Sequence, residues 1–175
     1  GLDLYFRTAA LVLQDSGIRL VPPGEKDLAA DRHFFSALFL YSFFRAEIPS
    51  GRRVLYAAVN QCLRGMVTGC DNLLDDEYKK TLETDLPPGG TRFRSVLDIM
   101  VSDRILFDLL SRLTENGDIS PEASRRACIA SLLALAPSGA QEASEEGGVA
   151  LTLSSGQVLD RVHHYKTGLL FQCVW

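Results

Sequence analysis

Apolar residues recur every three or four positions along most of this chain, the spacing of helices with one buried face. The first run is Asp3 to Gln14, where Leu4, Phe6, Ala10, Leu11 and Leu13 fit the period and Ser16-Gly17 stops it. After a Pro22-Pro23-Gly24 loop, Glu25 to Glu47 reads as helix with a break near Ala30, and Pro49-Ser50-Gly51 turns the chain. Ser50 stands where a cap starts the longest run, which the pattern carries from Val54 to Lys80. Leu86-Pro87-Pro88-Gly89-Gly90 breaks it, and Thr91 to Leu113 is again helical by period. Asn116-Gly117-Asp118 turns; Ser120 and Pro121 then supply an N-cap and a first-turn proline for a helix through Leu135, stopped at Pro137-Ser138-Gly139. Glu142 to Gly148 is acidic and contains glycine, a helix end or a loose loop. Thr152 to Ser155 leads through Gly156 into a final helix. No period-two alternation persists and no repeat is visible. The expectation is all-α: a single domain over residues 1–175 with its helices in one antiparallel bundle.

Composition bounds the function classes. At 175 residues, 46% hydrophobic and a net charge of −4, the chain has enough apolar material for a sizeable core, which argues against disorder and against a nucleic-acid surface. Phe34 to Phe44 is the longest apolar stretch, about half of the roughly 20 residues a membrane span needs; it reads as a buried helix in preference to the alternative its many phenylalanines offer, a membrane-touching one. Cys62, Cys70, Cys128 and Cys173 show no CxxC spacing and lie in apolar helical stretches; they read as reduced thiols, hence a cytoplasmic setting.

The chemistry concentrates in Asp71-Asn72-Leu73-Leu74-Asp75-Asp76. Four apart on a helix, Asp71 and Asp75 aim both carboxylates at one point, while Leu73 and Leu74 turn elsewhere and can pack. Such a pair suits a hard cation such as Mg²⁺, which takes a few carboxylate oxygens and bridges to phosphates. A solvated acidic helix end accounts for the same residues equally well. The second cluster is His163-His164-Tyr165-Lys166-Thr167-Gly168-Leu169-Leu170-Phe171. Adjacent histidines point to different helix faces, so His163-His164 is a poor metal pair.

Together the two clusters resemble the trans-isoprenyl diphosphate synthases, the polyprenyl synthetase family. That family carries a DDxxD motif on one helix and later a Lys-Thr pair followed by a small residue and an apolar pair. Here these are D-N-L-L-D-D and K-T-G-L-L-F, separated by roughly 90 residues as in the family. Weaker echoes are Lys79-Lys80 where the family has two arginines, Ser102-Asp103 for a Gly-Asp pair, and Ser138-Gly139-Ala140-Gln141-Glu142 near a Gly-Gln element. Departures stand beside them. Asn72 replaces the second Asp, dropping one charge. The family's upstream Gly-Lys-Arg element has no good copy, Ser50-Gly51-Arg52-Arg53 lying too close to the motif. The second aspartate-rich motif is not reached before Trp175, and Gly168 to Trp175 runs apolar without a breaker. The chain is therefore expected to be about the N-terminal two-thirds of a longer synthase.

The resemblance implies an antiparallel bundle of the isoprenoid (terpenoid) synthase type. It implies a Mg²⁺-dependent prenyltransferase condensing an allylic diphosphate with isopentenyl diphosphate, and a homodimer. Asp71 and Asp75 would hold Mg²⁺ with Asp76 as a third ligand or neighbour. Lys166 would contact the leaving diphosphate with Thr167 beside it, and Lys79 and Lys80 would reach the same phosphates. Gln141 would stand near the substrate. Met66 and Val67, one turn upstream of the motif, would line the tunnel for the isoprenoid tail; neither is aromatic, which hints at a longer product. Two rivals remain: a non-catalytic partner subunit, which Asn72 and the missing basic element suit, and a related terpenoid cyclase or head-to-head synthase.

Overall fold

A computed structural model describes residues 1–145 and 152–174, and among them the chain is helical, with no strand beyond a single antiparallel bridge between Leu20 and Thr84. It divides into two compact units, Gly1–Glu115 and Asn116–Trp175.

The first unit contains α1 (Leu2–Val12), α2 (Phe34–Arg45), α3 (Ser50–Leu74) and α4 (Thr91–Glu115). The expected helix over Glu25 to Glu47 begins only at Phe34; before it stand two 3₁₀ turns, Glu25–Asp27 and Ala30–His33. α3 and α4, each 25 residues long, pack along their lengths. They run antiparallel, because Gly65 faces Ser102 whereas Gly69, further along α3, faces Ser95 and Ile99, earlier on α4. Both glycines are required by this approach. A Cβ on Gly65 would lie 2.1 Å from the Ser102 hydroxyl, and one on Gly69 would lie 2.6 Å from Ile99 and 2.8 Å from the Ser95 carbonyl oxygen. α1 packs on both helices and buries Tyr5, whose hydroxyl bonds that of Ser102 at 2.9 Å. Cys62, Leu63 and Met66 of α3 and Leu97, Val101, Ile105, Leu106 and Leu109 of α4 complete the core. Each large apolar side chain buried there contributes about 1.5–3 kcal/mol.

α3 ends earlier than the apolar period suggests, at Leu74 and not at Lys80. Asp75 is the C-cap, its N–H donating to the Asp71 carbonyl at 2.9 Å. Asp76 adopts the left-handed conformation (φ 51°), and the Glu77 N–H closes back on the Asn72 carbonyl at 3.1 Å. This is a Schellman-type stop with aspartate in the place usually held by glycine. Leu73, expected to pack, is instead exposed. Pro49, not Ser50, precedes the first turn of α3, and Ser50 makes no side-chain cap.

In the second unit, α5 (Pro121–Glu145) is capped by Ser120, whose hydroxyl accepts from the Ala123 N–H at 3.1 Å. It passes through Pro137, where a stop was expected. The helix following residue 152 opens with a capping box: Ser154 accepts from the Gln157 N–H, and the Gln157 side chain accepts from the Ser154 N–H. It runs from α6 (Ser155–Gln157) through a π-wound stretch, Val158–Gly168, into α7 (Leu169–Val174) and packs on α5. Glu146 to Gly148 and Trp175 lie outside the described residues, as do the side chains of Glu145, Leu170 and Cys173. Cys62 and Cys70 are free thiols. No helix among the described residues is long and apolar enough to cross a membrane.

Candidate functional site

At the C-terminal end of α3 the helical spacing brings Asp71 and Asp75 together. Glu77 joins them from beyond the left-handed turn, and one carboxylate oxygen from each of the three lies within 4.8 Å of the others. Asp71 is half-buried and the other two are exposed. Asp76 takes a different direction: its carboxylate pairs with Arg92 at the start of α4, 2.9 Å away. The positive φ that ends the helix turns Asp76 out and Glu77 in, an exchange that no spacing rule for a continuous helix predicts.

Lys79 closes the cluster. Its ammonium group donates to Asp71 at 2.8 Å and also pairs with Glu77. These bonds raise its pKa above the ordinary lysine value. Its backbone is fixed by Asn72. The Lys79 N–H donates to Asn72 Oδ1 at 2.8 Å, and Asn72 Nδ2 donates to the Lys79 carbonyl at 3.0 Å. Asn72 is buried, so its amide works inside the fold as a clamp on the returning chain and does not stand in for a metal-binding carboxylate. Further ties hold the connection between α3 and α4. Leu82 is buried, Lys80 pairs with Glu83, Arg94 donates to the Leu86 carbonyl, and Asp85 accepts from the Arg19 N–H and Nε at 2.9 Å.

Beside this segment lies a cavity of about 90 Å³ lined by Gln61, Arg64, His33, Lys80 and Thr81 among others. Arg64 sits seven residues before Asp71, on the same face of α3. It donates to His33 Nδ1 at 2.9 Å; since a guanidinium only donates, His33 presents Nε2–H to the Asp27 carbonyl, 2.7 Å away. Burial lowers the Arg64 pKa from its ordinary value. The Gln61 Oε1 is buried without a hydrogen-bond partner among the described residues, whereas the Thr81 hydroxyl faces the Asp98 carboxyl. A buried polar atom left unpaired costs about 1–3 kcal/mol, so a ligand or water at the Gln61 oxygen would be favoured. The sequence reading missed Gln61, Arg64, His33 and Thr81. Only the seven-residue step from Arg64 to Asp71 could have pointed to one of them.

Of the remaining expected site residues, Met66 is buried in the core of the first unit and Val67 is half-buried. Lys166, Thr167 and Gln141 belong to the second unit. There Lys166, in the last turn of the π-wound stretch, pairs with Glu142 of α5 at 2.7 Å, and its carbonyl accepts from the Ser138 hydroxyl at 2.7 Å. Glu142 is therefore a partner of Lys166. Thr167 is exposed and Gln141 half-buried.

No protein-family model matches the chain, and no curated protein or solved structure is significantly similar to it.

Proposed function

We propose that the protein is a prenyltransferase of the isoprenyl diphosphate synthase type, joining an allylic diphosphate to isopentenyl diphosphate with Mg²⁺ at Asp71, Asp75 and Glu77. The convergence of these three carboxylates at the end of α3 is the observation that carries the reading. Their donor set fits the ion: hard oxygens, two of them open to water, with a net negative charge that already draws in the Lys79 ammonium. When bound, Mg²⁺ would neutralise charge developing on the departing diphosphate.

The chain's own residues supply the rest. Lys79, held by Asn72, gives a point charge within reach of any phosphate drawn to the aspartates. Arg64 and Lys80 line a cavity too small for an isoprenoid tail but suited to a phosphate group. Lys166 and Thr167, to which the resemblance gives the leaving group, belong to the second unit. The terpenoid-synthase bundle, the homodimer and the cytoplasmic setting belong to the same reading.

Asn72 bears on the partner-subunit alternative. Its lost charge suggested a decayed metal site, but its side chain has a structural task that an aspartate could not perform. That leaves the missing basic element as support for the alternative.

Binding of inorganic diphosphate tests the reading without the reaction. Calorimetry should show diphosphate binding that requires Mg²⁺ and is lost in the Asp71→Asn, Asp75→Asn variant. Equal binding with and without Mg²⁺ would remove the metal from the account.

A further inference from the structure

A helix packed on one side ordinarily presents charged residues on the other. α2 does not. It lies on α3 through Phe39 and Phe43, both buried, with Phe43 edge-on to Tyr56 at 5.4 Å. Its outward positions are Ala37, Leu38, Tyr41 and Phe44, with Leu38 46%, Tyr41 60% and Phe44 61% exposed. The stretch expected to be a buried helix thus shows Phe34, Leu38, Tyr41 and Phe44 to solvent. Arg45, its last residue, is the only charge in the twelve residues of the helix. Beyond it Arg52 and Arg53 begin α3, the Arg53 guanidinium standing 5.2 Å over the Phe44 ring. Glu47 is the single acid between Phe34 and Val54.

We propose that this face of α2, with Arg45, Arg52 and Arg53 at its C-terminal end, docks on an anionic lipid surface with the helix lying in the plane of the interface. Leucine and aromatic side chains enter the boundary between headgroups and acyl chains, and arginines reach lipid phosphates from its rim. At about 18 Å, α2 is too short to span a bilayer but long enough to lie on one. A second copy of the chain is the less suitable occupant. A strip one helix wide offers far less than the roughly 800 Å² per partner of a stable dimer, and the arginines on its rim would face arginines. This docking stands on α2 alone and does not depend on prenyl transfer.

Vesicle sedimentation of the full chain tests it, with phosphatidylcholine alone and with phosphatidylserine added, at low and raised salt. Two variants accompany the wild type. Leu38→Glu with Tyr41→Glu changes outward positions only, and Arg45→Gln with Arg52→Gln leaves the apolar face intact. Sedimentation should require phosphatidylserine, weaken with salt, fall roughly fivefold per arginine removed, and drop at least tenfold in the glutamate variant. Circular dichroism checks that the variants keep their helices; should the glutamate pair unfold the chain, the arginine pair still decides. Failure to sediment with phosphatidylserine, or arginine variants that bind undiminished, overturns the proposal. So does a wild-type dimer, seen by light scattering without vesicle binding, that dissociates in the glutamate variant.

Discussion

Asn72 binds both the backbone N–H and the backbone carbonyl of Lys79, at 2.8 and 3.0 Å, from a buried position on the last full turn of α3. The amide matches a peptide unit, donor to acceptor and acceptor to donor. An aspartate there would keep only the acceptor and would set a carboxylate against a carbonyl. Asn72→Asp, although it would complete the DDxxD pattern that the sequence resembles, should therefore destabilise the protein by about 1–3 kcal/mol, measured by urea unfolding. It should also loosen Lys79 from Asp71. Unchanged stability would mean that the clamp contributes nothing.

The two interface glycines should differ in their tolerance of a methyl group. At Gly65 the obstacle is the Ser102 side chain, which can turn at the expense of its bond to Tyr5. At Gly69 it includes the Ser95 backbone carbonyl, which cannot move without shifting α4. Gly69→Ala should cost about 1–3 kcal/mol and Gly65→Ala less, compared by thermal unfolding.

The helices of the first unit were legible because α1, α3 and α4 each bury an apolar stripe. Their ends were not. α3 stops at a left-handed aspartate, held by an asparagine side chain that acts across seven residues, and neither is a breaker in the usual sense. Pro137 was read as a stop, yet α5 continues through it. The aspartate pair could be read from a spacing of four, since it lies on one helix. Glu77, which joins it across the turn, could not. Gln61, His33 and Thr81 come from three separate segments and meet only in the folded chain.

Asp98 carries the clearest pH dependence. It is buried on α4, and burial raises its carboxyl from 3.8 to about 6, against the opposing pull of Thr81, Leu82 and Arg94. The folded state thus holds this proton more tightly than the unfolded chain. Its contribution to stability is fully present below pH 3.8 and is lost as pH rises through about 6. Asp98→Asn should abolish that dependence and be more stable than the wild type at pH 7, by up to ~3 kcal/mol, with the gap closing toward pH 4. Denaturant midpoints across this range provide the check; parallel curves for the two proteins would contradict the assignment.

If the proposed reaction takes place, Arg64 should serve one of its two substrates and not the other. Arg64→Met should raise the KM for one diphosphate substrate at least tenfold and leave the other nearly unchanged, because only one can occupy the cavity it shares with Lys80. Steady-state kinetics with each substrate varied in turn gives the answer.

Elongation itself is the most direct measurement. Labelled isopentenyl diphosphate, an allylic diphosphate and Mg²⁺ are incubated with the full-length gene product and with its Asp71→Ala, Asp75→Ala variant. Chain-elongated product is expected from the wild type, with a loss of about a hundredfold or more in the variant. A folded wild type that elongates nothing, or a variant that elongates equally well, would contradict the proposed function.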